Sequence, residues 1–298
     1  MKKLATLWVG ILLLTLMCAC EKENLGYYQP KMKIEKIYTE TDGHYLREHW
    51  KWNGDFLNKI NYYRKSGDVE YTQSYIYDGK RLSRIETDKQ YTEFLYEGKL
   101  LTNINTYYQD QQIESYTLTY KQKKLSHISI VKSGQKACQS PFSVLNFFVP
   151  TQDEILESCM EDQDMKRENY NYSKAEVDFI WDGDNIKYMK MNLARPDSTQ
   201  RLTFTYTYDE SLNPMLGFFN LQLDHAILND QPSTLLFSKN NATTIYVTDE
   251  YGVFSKTTSF TYSYDCYKKY PTKVYKTRLS TTHEGIDSTL IYSYHYLN

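Results

Sequence analysis

The run Tyr75-Ile76-Tyr77-Asp78-Gly79-Lys80-Arg81-Leu82-Ser83-Arg84-Ile85 reads as strand, tight turn, strand. Tyr75 and Tyr77 are two apart and so share one face of a strand. Asp78-Gly79 then supplies the positive φ that a tight hairpin needs. The plan recurs along the chain. It appears as Trp50-Lys51-Trp52-Asn53-Gly54, Phe94-Leu95-Tyr96-Glu97-Gly98 and Phe179-Ile180-Trp181-Asp182-Gly183. Without the glycine it returns as Leu118-Thr119-Tyr120-Lys121-Gln122, Tyr206-Thr207-Tyr208-Asp209-Glu210 and Tyr262-Ser263-Tyr264-Asp265-Cys266. Tyr292, Tyr294 and Tyr296 continue it at the C-terminal end.

After each turn comes a second apolar stretch, as in Leu57-Asn58-Lys59-Ile60, Leu82-Ser83-Arg84-Ile85 and Leu101-Thr102-Asn103-Ile104. Leu and Ile three apart do not fit the strict period of two. Either a bulge follows the turn or both faces of that strand are partly covered. These stretches are short and rich in Tyr, Thr and Ile, which argues against helix. The fold class expected is all-β: a long antiparallel meander of Tyr-rich hairpins, curved into an open or closed barrel. A barrel manages the edge strands that a flat meander would expose.

Composition agrees. The chain has 30 Tyr against 12 Phe and 4 Trp, and Tyr suits strands that are apolar at the ring and wet at the hydroxyl. With 12 Gly and 7 Pro, long disordered tracts are not expected. About 270 residues follow residue 30, without an internal linker, which one repeat-built domain accommodates.

The rhythm breaks twice, at about 132–173 and 213–241. In the first break Pro141 to Val149 is strongly apolar, and Thr151 with Glu154 forms a capping-box pattern. Ile155, Leu156, Cys159 and Met160 then fall at helical spacing, which predicts a short amphipathic helix at about 152–161. The acidic Glu161-Asp162-Gln163-Asp164 lacks the spaced ligands and glycine of a calcium loop and reads as a solvated helix end. The second break contains Asn213-Pro214-Met215-Leu216-Gly217-Phe218-Phe219 and Ser238-Lys239-Asn240-Asn241, with Tyr270-Pro271-Thr272-Lys273-Val274 further on. A Tyr-x-Tyr-Asp strand with these loops resembles an uncharacterised Bacteroidota outer-membrane or surface lipoprotein domain. That family implies a porin-like fold, and its hairpins resemble the YD repeats of RHS proteins. The resemblance runs from about Ile34 to the end and is densest from Phe204 to Val274. Cys266 and Lys269 stand where turn residues are usual, so a wider turn is expected there.

The chain opens with Met1-Lys2-Lys3 and an apolar run from Leu4 to Met17. A transmembrane helix needs ~20 apolar residues, so this run reads as a secretory signal peptide over residues 1–19. It stops at Ala19-Cys20, which resembles a bacterial lipobox and makes Cys20 the expected lipidation site. Glu21-Lys22-Glu23 resembles the surface-export signal of Bacteroidota lipoproteins. Residues 20–30 are then a lipid-anchored tether and 31–298 a single β domain. Loss of Lys2 and Lys3 takes the formal charge from -2 to -4, a mild acidity with no basic patch. Nucleic acid is therefore not an expected partner. The expected location is the outer membrane through lipid alone, with the cell surface favoured.

Cys138, Cys159 and Cys266 remain after Cys20. An exported chain meets an oxidising compartment, where Cys138 and Cys159 could pair; three buried thiols are the other reading. No Cys-x-x-Cys occurs, the histidines are scattered, and no metal site or cofactor is expected. His-Glu-x-x-His, Gly-x-Ser-x-Gly and phosphate-loop motifs are all missing, so no catalytic residues are assigned.

One pattern stands out. If consecutive hairpins pair side by side, the aromatic pairs form a band across one sheet face. The band is either filled core or an aromatic-lined concave surface on which sugar rings stack. Trp52, Tyr77, Tyr96 and Trp181 are the candidate ligand-facing members. The function expected is a non-catalytic binding module for a glycan. The alternative is a structural or assembly partner of an outer-membrane complex, docking through Phe142–Val149 or Met215–Phe219. A hydrolase ranks last.

Overall fold

The structure, a computed structural model, describes residues 25–40, 43–88, 90–133, 142–143, 174–194, 199–219, 222–223, 237–251, 254–279 and 286–297. The strands in chain order are β1 (Ile34–Thr39), β2 (Tyr45–Asn53), β3 (Phe56–Tyr63), β4 (Val69–Asp78), β5 (Arg81–Glu86) and β6 (Gln90–Glu97). Next come β7 (Leu100–Tyr108), β8 (Gln111–Lys121), β9 (Lys124–Lys132), β10 (Phe142–Ser143), β11 (Lys174–Asp182) and β12 (Asn185–Ala194). The last six are β13 (Thr199–Leu212), β14 (Gln222–Leu223), β15 (Asn240–Tyr251), β16 (Phe254–Tyr267), β17 (Tyr270–Leu279) and β18 (Ile286–Tyr296).

Sixteen of these make a closed antiparallel barrel, each paired with its chain neighbour, and β1 closes on β18. β10 and β14 pair only with each other. Closure settles the open-or-closed alternative, and no edge strand is left in the main sheet. The helix expected at 152–161, and Cys20, Cys138 and Cys159, lie outside the described residues.

An up-and-down barrel places alternate connections at opposite ends. One rim collects the two-residue loops Gly54-Asp55, Gly79-Lys80, Gly98-Lys99, Gln122-Lys123, Gly183-Asp184 and Lys268-Lys269. Where glycine leads the loop it alone has positive φ, as at Gly79 (61°), the pattern of a type II′ turn. Gln122 (53°) with Lys123 (64°), and Lys268 (49°) with Lys269 (70°), are both positive, as in type I′. The Asn, Asp or Glu before each glycine ends its strand instead of sharing the loop. The turn at Lys268-Lys269 is no wider than the others, contrary to the expectation. The strand simply runs two residues further, and Cys266 lies inside it, exposed, with a free thiol.

The Leu-x-x-Ile spacing is a bulge. Tyr77 faces Leu82 and Ile76 faces Arg84, so Ser83 is the extra residue. The same shift occurs at Trp52/Leu57, Tyr96/Leu101, Tyr120/Leu125 and Trp181/Ile186. A bulge puts both Leu82 and Ile85 inside, where they are buried. The extra residue often carries a hydroxyl that bonds back across the hairpin. Ser83, Thr102, Ser126 and Thr272 donate to the carbonyls of Ile76, Leu95, Thr119 and Asp265 at 3.0, 3.3, 3.0 and 3.0 Å.

The inner face carries one apolar core cluster, including Trp50, Ile60, Phe94, Tyr116, Ile128, Val177, Phe204 and Ile245. The outer face is polar, with Thr117 and Thr119 on β8, Glu176 and Asp178 on β11, Lys187 and Lys190 on β12, and Thr203, Thr205 and Thr207 on β13. A membrane-crossing barrel needs an outward apolar band ~25 Å tall. Among the described residues the exposed apolar side chains of the outer wall include Ile76, Leu95, Val131, Ile180 and Tyr246, on β4, β6, β9, β11 and β15, set among the polar residues above.

Candidate functional site: the plugged rim

The two members of each aromatic pair do different work. The first member lies deep, with Trp50, Tyr75, Phe94, Leu118, Phe179, Tyr206 and Tyr262 all buried. The second member lies at the rim, half-buried, and bonds sideways to the neighbouring hairpin. The indole of Trp52 donates to the Ile34 carbonyl at 2.7 Å. The phenols of Tyr96, Tyr120, Tyr208, Tyr264 and Tyr296 donate to the carbonyls of Leu82, Leu101, Ile186, Ala242 and Pro271 at 2.6–2.8 Å. Trp181 donates to Leu125 at 2.6 Å, and Tyr77 bonds to the backbone of Leu57. Every accepting carbonyl belongs to the first residue of a bulge or its counterpart in the strand pair.

The reason lies in the ladders. Between neighbouring hairpins, strand pairing stops short of the rim: β5 and β6 end at Arg84/Glu93, β7 and β8 at Asn103/Thr117. Beyond that point the bulge has turned a carbonyl out of the ladder. A half-buried carbonyl without a partner costs about 1–3 kcal/mol, so the aromatic side chain stands in for the missing strand bond. The result is a continuous ring of latches around this rim. Burial pushes the phenols of Tyr77, Tyr96, Tyr120 and Tyr208 well above their ordinary value, keeping them as neutral donors.

The mouth inside this ring is plugged. Residues 25–30, expected to be tether, lie against the barrel, and Tyr28 is buried with its hydroxyl on the Pro214 carbonyl at 2.8 Å. Gly26 has φ +85°, its carbonyl accepts from the Leu82 amide, and a Cβ there would stand 2.0 Å from the Tyr96 oxygen. Only glycine fits that approach. From the other side Met215, Phe218 and Phe219 enter the core. Phe218 packs on Trp50 (4.6 Å between centroids) and Tyr28 (5.1 Å), and Phe219 on Phe94 (5.3 Å). Asn213 fixes the entry by bonding the Ser238 carbonyl at 2.8 Å and the Met215 amide at 2.8 Å. Met215–Phe219, expected as an exposed docking patch, is instead largely buried.

Between plug and ring a cleft of about 640 Å³ remains. Tyr27, Tyr120, Trp181 and Tyr270 line it, with Leu100, Pro214 and Phe237. Lys31, Lys99, Lys123, Lys124 and Lys239 also line it, with Asp184 as the one carboxylate among the described residues. Lys239 Nζ lies 3.4 Å from Asp184. Lys124 Nζ sits 5.3 Å from the Trp181 ring centroid and donates to the Gly183 carbonyl. Of the four candidate ligand-facing aromatics, Trp181 borders this cleft; Trp52, Tyr77 and Tyr96 are elsewhere on the ring. The expected absence of a basic patch is corrected here. The lysines come from the tips of the β6–β7 and β8–β9 hairpins, from the segment before β1 and from the approach to β15, far apart in sequence.

The described histidines serve the wall. Both nitrogens of His127 are engaged, by Asp178 and Glu176 at 2.8 Å each, so its ring is a clasp between β9 and β11. His44 stacks on Tyr38 at 4.9 Å and bonds Glu40.

No protein-family model and no curated protein matches the chain in sequence. Solved structures do match in shape. One is a porin-like protein from Bacteroides vulgatus, with TM-score 0.52, 10% identity, and coverage of 90% of this chain and 99% of that one. Another is a porin-like protein from Bacteroides uniformis, with TM-score 0.47 and 11% identity, covering 89% and 98%. The chain, a closed all-β barrel, thus shares its fold with the porin-like protein from Bacteroides vulgatus.

Proposed function

We propose that this chain is a lipid-anchored protein of the outer membrane, facing the cell surface, that binds a saccharide non-catalytically in the rim cleft. The observation that carries the binding reading is the cleft itself. Its 640 Å³ lies within the ~300–1,000 Å³ of small-ligand sites, and it combines aromatic walls with a few charged groups. Tyr27, Tyr120 and Trp181 give the cleft an aromatic wall against which a sugar ring can lie. Binding is preferred to glycoside hydrolysis because the described residues of the lining offer one carboxylate, Asp184, where that reaction uses two. The polar outer wall supports anchoring by lipid, through Cys20, over insertion of the barrel.

Full-length protein in detergent, screened against immobilised saccharides, should bind a subset and shift its tryptophan fluorescence on binding. Silence toward every saccharide would sink the reading. Cys20→Ala should leave the membrane fraction; a variant that is still acylated and processed rules out lipidation at that residue.

A further inference from the structure

The chain enters the barrel at a fixed place. Gly26 is held on the rim of tight turns, its carbonyl on the Leu82 amide at 3.0 Å and the Tyr96 phenol packed where a Cβ would stand. Arg81 Nε donates to the Tyr27 hydroxyl at 2.6 Å, and Tyr28 is buried in the plug. The entry point is therefore this rim, at the β4–β5 and β6–β7 hairpins. Cys20 lies five residues before Leu25. Five peptide steps span at most about 18 Å, however they are arranged. By contrast, the 11 residues of β8 rise roughly 36 Å, or about 28 Å along the axis of a barrel with strands tilted ~40°. A lipid on Cys20 thus holds the tight-turn rim near its bilayer and keeps the opposite rim away from it.

The two rims also differ in charge. Counted with the residue on either side, the six two-residue loops of the tight-turn rim hold eight basic and five acidic residues, and Lys31 and Lys33 bring the basic total to ten. The seven short connections at the opposite rim, counted the same way, hold four basic and eight acidic residues. The excess is net of pairs such as Lys33 with Asp55. Lys80, Lys123, Lys268 and Lys269 are exposed on tips spread around the ring. On the two hairpins that seat Gly26, two residues before the strand ends, the outer wall presents the exposed Ile76 and Leu95.

We infer that the tight-turn rim is a membrane-docking surface, seated on the phosphate-bearing headgroups of the bilayer that holds the Cys20 lipid; this rests on the lipid-anchor reading above. The lipid supplies attachment and the basic rim sets orientation. Each lysine near an anionic bilayer surface favours contact by about fivefold, within the range that salt leaves unscreened. Ile76 and Leu95 flank the entry point, where apolar side chains reach the boundary between headgroups and acyl chains. The rim cleft belongs to the same end of the barrel, so the saccharide it takes is one displayed on a lipid headgroup.

The test inserts the full-length protein into preformed phosphatidylcholine vesicles, with and without phosphatidylglycerol, and maps lysine acylation by a water-soluble reagent with mass spectrometry. Lys80, Lys123 and Lys268 are expected to lose at least about fivefold in labelling when phosphatidylglycerol is present and to regain it at high salt, while Lys65 on the opposite rim is unchanged. A Lys80→Gln/Lys123→Gln double variant should lose the protection of Lys268 and keep its melting temperature and its membrane-bound fraction. Gln122 already sits at positive φ, so glutamine at 123 suits the turn. Equal labelling with and without phosphatidylglycerol, protection shared equally by Lys65, or a double variant still fully protected overturns the inference and leaves the lipid anchor standing. So does a free saccharide that binds vesicle-docked protein as tightly as protein in detergent, because the cleft would then face solvent. Protein that carries no acyl group at Cys20 and stays in solution defeats both readings.

Discussion

The two halves of the barrel interior are built differently. Toward the rim of tight turns, the inner face is aromatic and aliphatic, and Tyr28, Met215, Phe218 and Phe219 fill it. Toward the opposite rim it carries buried polar groups: Thr39, Glu48, Gln73, Gln90, Thr92, Thr106, Glu114 and Gln200. Single strands cross from one regime to the other. On β2 the inner face reads Glu48, Trp50, Trp52; on β4 it reads Gln73, Tyr75, Tyr77. The first aromatic bonds to the polar residue two before it, as Trp50 does to Glu48 (2.7 Å) and Tyr75 to Gln73 (3.2 Å); on β8, Tyr116, one step before its pair, bonds Glu114 in the same way (2.6 Å). The second bonds sideways to the next hairpin. The lesson is that Tyr and Trp are used here as joints. Each ring packs in one layer while its polar tip satisfies a group in another.

The strongest way to break this division is at Trp50, which is 1% exposed and packed between Phe218 and Tyr28. Trp50→Ala should cost about 3–5 kcal/mol through the cavity left and the carboxyl stranded at Glu48. Urea unfolding measures it. A loss below about 1 kcal/mol would show that the plug does not complete the core.

Glu48 probes the polar half. Burial, only partly offset by the Trp50 hydrogen bond and the Arg47 charge, raises its pKa from 4.5 to about 7. The folded state therefore holds a proton that the unfolded chain releases between those values. The stabilisation is fully present below about pH 4.5 and is lost as pH rises through 7, amounting to roughly 3 kcal/mol. Glu48→Gln keeps an acceptor for the indole and should flatten this part of the stability profile. An unchanged slope between pH 5 and pH 8 in that variant would assign the dependence to another group.

The sequence makes the hairpins legible because their signals are local. Two aromatics two apart, a turn residue and a following Leu-x-x-Ile stretch lie within about a dozen residues, the range over which periodicity speaks. The bulge was half legible: the broken period was visible, and the hydroxyl at Ser83, Thr102, Ser126 and Thr272 was the signal that could have decided it. Closure was not legible, since it depends on β1 meeting β18 across most of the chain. Nor was the plug. Met215–Phe219 and Tyr28 are apolar segments whose destination depends on a lumen that exists only after closure. The cleft fails for the same reason: Lys31, Lys99, Lys124 and Lys239 become neighbours only on a finished rim.

The β8–β9 hairpin offers the finest test, because it carries both devices of the rim within a few residues. Tyr120 reaches out of the hairpin to the Leu101 carbonyl at 2.7 Å, while Ser126 bonds within it to the Thr119 carbonyl at 3.0 Å. Tyr120→Phe keeps the ring and leaves a half-buried carbonyl without its donor, so it should cost about 1 kcal/mol. Ser126→Ala exposes the Thr119 carbonyl to water, which replaces the bond, so the cost should stay below about 0.5 kcal/mol. The local openings should differ too. Losing the Tyr120 latch loosens the seam between β7 and β8 near the rim, where ladder pairing has already stopped at Asn103/Thr117. Losing Ser126 loosens only its own turn. Hydrogen exchange of the two single variants separates these outcomes. Faster exchange at the β7–β8 seam in Tyr120→Phe alone is the expected pattern. Equal costs and the same exchange pattern in both would mean that the aromatic ring adds nothing beyond packing, and that the bulged hairpins hold the rim by themselves.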